Sequence, residues 1–297
     1  PTYDMKKLIL LLFIPFVSFG QTPITDANFY QAIETCLLFN PVDGMCSDSE
    51  YGAMPDWDVS QVTNMGGAFY DKDDFNADLS AWDVSSVTDM SNMFGGSDYQ
   101  DFNQDISSWD VSSVNNMRWM FRFAFTFNHD ITSWNVSNVT DMEQMFAGTQ
   151  AFNQSIGNWN VNNVTNMYAM FNAATSFNQP IGNWDVSGVS NMNSMFAYAF
   201  DFNQDISSWD VSSVYDMGYM FYGAESFNQD IGNWGVSNVV DMSYMFFNAL
   251  AFNQDISNWC VTNITSEPTQ FSDNSPLIES NVPVWGTCPS TVQGEQL

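Results

Sequence analysis

The chain has 297 residues, 45% of them apolar, and five Lys+Arg against 34 Asp+Glu give it a net charge of −29 at pH 7. That apolar content excludes a disordered chain, and so acidic a surface excludes nucleic acid phosphates and anionic lipid as partners. A single His, His129, and the lack of any CxxC spacing exclude the usual zinc arrangements.

The first element in chain order is a leader. Met5-Lys6-Lys7 is followed by the apolar run Leu8 to Val17 and by Ser18-Phe19-Gly20. A basic start, a short apolar stretch and small residues before a cleavage point read as a secretory signal peptide over residues 1–20, with Gln21 as mature start and residues 1–4 preceding the expected initiator Met5. The run is too short to span a bilayer. No Cys sits at the expected cleavage point, so a lipoprotein anchor is not indicated. Removing the leader leaves Lys72, Arg118 and Arg122 as the only Lys or Arg.

Residues 21–56 read as an N-terminal cap. Thr25-Asp26-Ala27-Asn28-Phe29 opens a helix with Phe29, Ile33, Cys36 and Leu37 on one face, suited to covering the apolar end of the central region. Four cysteines remain in an exported chain, Cys36, Cys46, Cys260 and Cys288, and they allow three pairings. Two precede and two follow the central region, so the expected local pairing is Cys36–Cys46 with Cys260–Cys288, each loop contributing roughly 2–4 kcal/mol.

Residues 57–258 hold eight copies of a 25-residue unit, marked by Trp57, Trp82, Trp109, Trp134, Trp159, Trp184, Trp209, Trp234 and Trp259; every step is 25 residues except Trp82 to Trp109, which is 27. A unit this short cannot bury its apolar face alone and must stack on copies of itself, so a solenoid is expected. In the Trp109 rung, Val114, Met117 and Phe121 have helical spacing after the cap-like Ser113-Val114-Asn115-Asn116. The expected rung has one such short helix and one short extended piece near Ile131, Trp134 and Val136, with each Trp a core plate about 4.8 Å from the next. The longer rung should absorb its two extra residues near Gly95 to Gln100. The column Asn76, Asn103, Asn128, Asn153, Asn178, Asn203, Asn228 and Asn253 reads as buried amides bonding neighbouring turns. Residues 259–288 read as an irregular C-terminal cap with Pro268, Pro276 and Pro283, and residues 289–297 as an unstructured tail.

The stretch Val139-Thr140-Asp141-Met142 through Trp159 carries the motif V-T-D-M-S-x-M-F-x-x-A-x-x-F-N-Q-D-I-S-x-W, with Thr149 at its Ala position. It resembles the BspA-like leucine-rich-repeat surface proteins, and among them the branch with the 25-residue repeat of mycoplasma surface lipoproteins; the likeness spans about residues 24 to 288. The resemblance implies an α/β repeat fold, a right-handed LRR-like solenoid of eight capped rungs with one short strand and one short helix each. It also implies a location outside a bacterium, secreted or on the cell surface, a role in adhesion, and no catalytic residues.

The residues themselves show no GxSxG elbow, P-loop, HExxH or Rossmann glycine pattern. Two features rise above scaffold. Asp105, Asp130, Asp205, Asp230 and Asp255 recur in one column, where like charges on adjacent rungs repel; Ca²⁺ would relieve that, although no EF-hand or glycine-aspartate loop is present. The second is a set of variable positions beside the Met and Phe of each rung, rich in Arg and aromatics, among them Tyr198. The candidate contact residues are Arg118, Trp119, Arg122, Phe123, Tyr168, Tyr219, Tyr222, Tyr244 and Phe247. The resulting expectation is a non-catalytic protein, needing no cofactor, that binds an extracellular protein or glycan. The alternatives are a structural spacer or self-associating surface layer and, third, a solenoid enzyme acting on polysaccharide.

Overall fold

The computed structural model describes residues 22–289; the leader and all of the tail beyond Pro289 lie outside the described residues. The rungs are built from β-turns. In the Trp109 rung the turns close through Trp109 N–H to Ile106 C=O (3.2 Å), Val114 to Val111 (2.9 Å), Met120 to Met117 (3.2 Å), Ala124 to Phe121 (3.0 Å) and Phe127 to Ala124 (3.1 Å). Between the turns, alternate amides reach the following rung: Met117 donates to Asp141 C=O (3.1 Å), Trp119 to Glu143 (2.8 Å), Phe121 to Met145 (3.0 Å) and Phe123 to Ala147 (2.7 Å). On another side the bonds run the other way, Thr140 N–H donating to Asn115 C=O (2.9 Å) and Thr165 to Thr140 (3.0 Å). Parallel bridges mark the stacking from Asn64↔Asp89 through to Asp216↔Asp241.

This corrects the expectation of a helix and a strand in every rung. The sole α-helix among the described residues is α1, Phe29–Leu37, and the bridges are isolated rather than grouped into strands. The helical spacing of Val114, Met117 and Phe121 arises because turns three residues long also bring every third or fourth side chain inward. A helix would spend each amide inside its own segment; here alternate amides are spent on the neighbouring rung instead.

The core is a set of columns. One Phe column runs through Phe121, Phe146 and Phe171 with centroids 5.7 Å apart, and a second through Phe127, Phe152 and Phe177 at 6.0–6.3 Å. Within a rung the two rings stack closely, as in Phe146–Phe152 at 4.0 Å. The Trp rings that mark the repeat are buried, and stacked pairs such as Trp184–Trp209 sit 6.5 Å apart, wider than the strand spacing expected. Each indole also staples two rungs: Trp134 Nε1 donates to Ile106 C=O, Trp159 to Ile131 and Trp184 to Ile156, at 3.1–3.3 Å. The Asn column is a ladder, Asn153 N–H donating to Asn128 Oδ1 (2.9 Å) and Asn178 to Asn153 (3.0 Å). Its members are half-buried or exposed rather than buried, since the ladder runs along a rim of the coil.

The two extra residues lie between Phe94 and Phe102, whose rings still stack at 3.6 Å, so the loop bulges outward and the stack continues. Gln100 is buried there, its Nε2 donating to Asp73 Oδ1 (3.0 Å) and to Tyr99 C=O (2.8 Å). At the N-terminal end, α1 buries Phe29, Ala32, Ile33, Cys36 and Leu37, and Phe29 meets Trp82 edge-on at 6.0 Å. Cys36–Cys46 and Cys260–Cys288 are both disulfides. The C-terminal segment is less irregular than its prolines suggest. Tyr244, Phe246 and Asn248 donate to Thr269, Phe271 and Asp273 at 2.8–2.9 Å, and buried Phe271 packs edge-on against Phe246 and Trp285.

The Thr ladder begins on a side chain. Thr63 has no rung before it, and the Asp26 carboxylate takes the place of the missing carbonyl, accepting from Thr63 N–H (2.8 Å), Thr63 Oγ1 (2.7 Å) and Asn64 N–H (3.3 Å). The Thr63 hydroxyl and amide hold the Asp26 pKa below the ordinary carboxylate value. A lowered folded-state pKa means stability present above the unfolded pKa and lost as pH falls through the folded one. Asp26→Asn should therefore lower stability at pH 7 by roughly 0.5–1 kcal/mol for an exposed charge-assisted site, and the gap should shrink as pH drops well below 4. Urea midpoints of both proteins across that range check it; a gap that stays constant with pH would contradict the charged cap.

Candidate binding face

Two successive turns in each rung, one starting at the first Met and one at the Phe, impose a backbone requirement. Their third residues have positive φ, in two columns. The first contains Gly67, Asn92, Trp119, Gln144, Ala169, Ser194, Tyr219 and Tyr244; the second contains Asp71, Phe123, Gly148, Ala173, Tyr198, Gly223 and Asn248. Gly, Asn and Asp suit such positions, whereas a bulky side chain there is an outlier costing about 1–2 kcal/mol. Trp119 (60°), Phe123 (62°), Tyr198 (58°), Tyr219 (58°) and Tyr244 (58°) are such outliers.

These five residues fall into two patches on the turn side. In the first, the Arg122 guanidinium lies 4.6 Å from the centroids of both Trp119 and Phe123, and that of Arg118 lies 4.7 Å from Trp119. Glu143 collects Arg118 Nη2 (2.9 Å), Trp119 Nε1 (3.2 Å) and Asn166 Nδ2 (3.0 Å). Arg118 is thus paired, while Arg122 has no carboxylate within salt-bridge distance among the described residues. The buried Nε of Arg122 and Oδ1 of Asn92 have no hydrogen-bond partner, and Asn92 and Trp119 line a shallow cleft of about 540 Å³ together with Tyr30, Tyr70 and Asp89. Trp119 is half-buried.

The second patch joins three rungs. Tyr219 stacks on Tyr244 at 4.7 Å, Tyr222 on Phe247 at 5.0 Å, and Tyr198 meets Tyr222 edge-on at 5.0 Å and Phe200 at 6.2 Å. Tyr198, Phe200 and Tyr219 are 37–42% exposed. Burial first, and then the neighbouring Tyr244, Asp241 and Tyr222, push the Tyr219 hydroxyl above its ordinary pKa. The structure thus separates Arg118, Trp119, Arg122 and Phe123 from Tyr219, Tyr222, Tyr244 and Phe247, and Tyr168 joins neither set through an aromatic contact among the described residues. Tyr198 and Phe200 complete the second patch. Phe200 occupies a further variable column, with Phe125, Gln150, Thr175, Glu225 and Leu250, which was the available signal for it.

The acidic column has a local task. Asp105, Asp130, Asp205, Asp230 and Asp255 each accept, through Oδ1, the backbone N–H two residues on, at 2.9–3.0 Å. Side-chain and then backbone hydrogen bonds from Thr132, Ser207 and Ser257 hold Asp130, Asp205 and Asp255 below the ordinary carboxylate pKa, while at Asp105 the Ser107 amide leads. Among the described residues no three His, Cys, Asp or Glu side chains converge as a metal site. His129, the sole histidine, makes a ring-nitrogen contact with Asn103 C=O at 3.0 Å.

A family model described as "Mycoplasma protein of unknown function, DUF285" matches residues 42–150, 126–215 and 179–285. The chain belongs to this family. No curated protein and no solved structure matches the chain. The matched segments of this DUF285 protein contain both aromatic patches and all the Trp-marked rungs. No helix among the described residues is long and apolar enough to cross a membrane.

Aromatic stacking returns about 0.5–1.5 kcal/mol per pair, less than the left-handed cost of the two residues in the Tyr219–Tyr244 pair. Tyr219→Asn should therefore leave the thermal midpoint unchanged or raise it by about 2–4 °C. A fall of several degrees by calorimetry would show that the ring is there for stability.

Proposed function

We propose that this protein is a non-catalytic repeat protein of the bacterial surface or surroundings that binds an extracellular protein or glycan through its turn face. The observation that carries this reading is the strain pattern. Bulky aromatics occupy left-handed positions where Gly or Asn would cost less, and they cluster into two patches instead of scattering. Backbone strain retained at a surface cluster is a mark of function rather than of folding, and exposed aromatics with Arg are the usual material of binding hot spots.

Membership of the mycoplasma repeat family, the leader-like residues 1–20 and the two disulfides support an extracellular setting. The closer kinship to BspA-like leucine-rich repeats rests on the Val139–Trp159 motif and is part of this proposal. The non-catalytic reading is supported by the local hydrogen bonds that occupy the recurrent acids, because each serves its own turn.

The test is a screen of matrix proteins and glycans against the purified protein, followed by variants. Tyr219→Asn with Tyr244→Asn, or Trp119→Asn, should weaken the ligand found by tenfold or more without lowering the thermal midpoint. A ligand whose affinity survives both sets of changes would contradict the turn face as its site.

A further inference from the structure

The turn face begins with a step in side-chain size. After the first Met the first rung has Gly66-Gly67, the second Ser91-Asn92, and the third Arg118-Trp119. Small residues in two rungs against a large pair in the third leave the cleft of about 540 Å³, which Tyr30 of α1, Tyr70 and Trp119 line.

Each of these three rings is held by its polar tip. Tyr30 Oη donates to Gly66 C=O at 2.8 Å, Tyr70 Oη meets Ser97 Oγ at 3.0 Å, and Trp119 Nε1 donates to Glu143 at 3.2 Å. Walls fixed in advance lose little freedom when a ligand arrives. Arg118 and Arg122 already lie over the Trp119 ring. Tyr30 meets Phe29 only edge-on, and Tyr70 has no ring contact among the described residues.

The polar groups between the rings are only partly used. Asn64 and Asp89 each spend Oδ1 on a local amide, Gly66 N–H and Ser91 N–H. Asn64 Nδ2, Asp89 Oδ2 and Ser91 Oγ make no hydrogen bond among the described residues. The Asn92 side chain makes none either, and its Oδ1 is buried. A ligand hydroxyl reached by a small turn of that amide would relieve a cost the free protein carries. The backbone offers nothing comparable. Gly67, Asn92 and Trp119 send their amides to the next rung, and those of Gly66 and Ser91 are taken by side chains. An extended peptide, which binds by pairing its main chain, finds no free amide there.

What remains is two tyrosine rings beside a mixed set of donors and acceptors, with no Lys or Arg among the lining residues. That set matches a ring with apolar C–H faces and hydroxyls that both donate and accept. The Asp89 carboxylate and the net charge of −29 repel acidic sugars.

We propose that this cleft between α1 and Trp119 binds a neutral sugar unit of a glycan, with the tyrosines against its C–H face and Asn64, Asp89, Ser91 and Asn92 on its hydroxyls. The proposal rests on the binding reading of the turn face and names the ligand class for its first patch.

The test is calorimetric titration of the purified protein with neutral gluco-, manno- and galacto-oligosaccharides, and with oligogalacturonate as the charged counterpart of the last. At least one neutral oligosaccharide should bind and oligogalacturonate should not. Ser91→Tyr fills the cleft from within, at a column that holds Tyr168 three rungs on, and should weaken binding by tenfold or more. Tyr70→Ala should do the same, and its column already carries Gly95 and Ala147. Tyr215→Thr removes an exposed tyrosine from the Thr ladder instead and should have little effect. Circular dichroism and thermal midpoints confirm that each variant is folded. Binding that is indifferent to Ser91→Tyr, or a preference for oligogalacturonate, would overturn the site. If no neutral oligosaccharide binds while a matrix protein from the screen depends on Tyr219 and Tyr244, the sugar site falls and the binding face stands.

Discussion

The constraint on which the rest of the molecule depends is the hydrogen bond from one rung to the next. A 25-residue turn-built loop has too little interior to hold itself together, and its backbone amides cannot be left unpaired in a packed core. Sending alternate amides of the Met–Phe segment forward, and those of the Thr and Asn columns back, satisfies both rungs at once. Each rung then serves as the template for its neighbour. The ends must be finished by other means, with α1 and the Asp26 carboxylate at the start and the Phe271–Trp285 packing at the finish.

The side chains follow from that geometry. Stacking in register makes every inward position a column, so Phe rings meet Phe rings and each Trp indole finds a carbonyl of the rung before it. The same geometry places two left-handed residues in each rung, on the side where the Met and Phe turns lie, except in the rung with the insertion, which has Asn92 alone. Most rungs meet this demand with Gly, Asn, Ala or Ser in at least one column. Where they use Trp, Phe or Tyr instead, local strain and surface aromaticity coincide. That coincidence distinguishes the two patches from the remainder of a repetitive surface.

Much of this was legible in the sequence. The Trp spacing, the position of the two-residue insertion and the face of α1 could all be read from the order of apolar residues. The expected helix in each rung could not be rejected on periodicity, because a series of β-turns places Val114, Met117 and Phe121 inward much as a helix does. The decisive difference lies in which carbonyl each amide bonds, and no side-chain pattern reports that. The candidate site was legible in part: Arg118 and Arg122 look alike in sequence, yet one is neutralised by Glu143 and the other is held between two rings.

The most direct test of the rung-to-rung ladder is the measurement of scalar couplings across hydrogen bonds by nuclear magnetic resonance on labelled protein. The Phe121 amide nitrogen should couple to the Met145 carbonyl carbon and that of Phe146 to Met170, matching the contacts at 3.0 Å. Coupling of Phe121 to Met117, the pattern of an α-helix, would contradict the turn-built rung and the face of left-handed residues that depends on it.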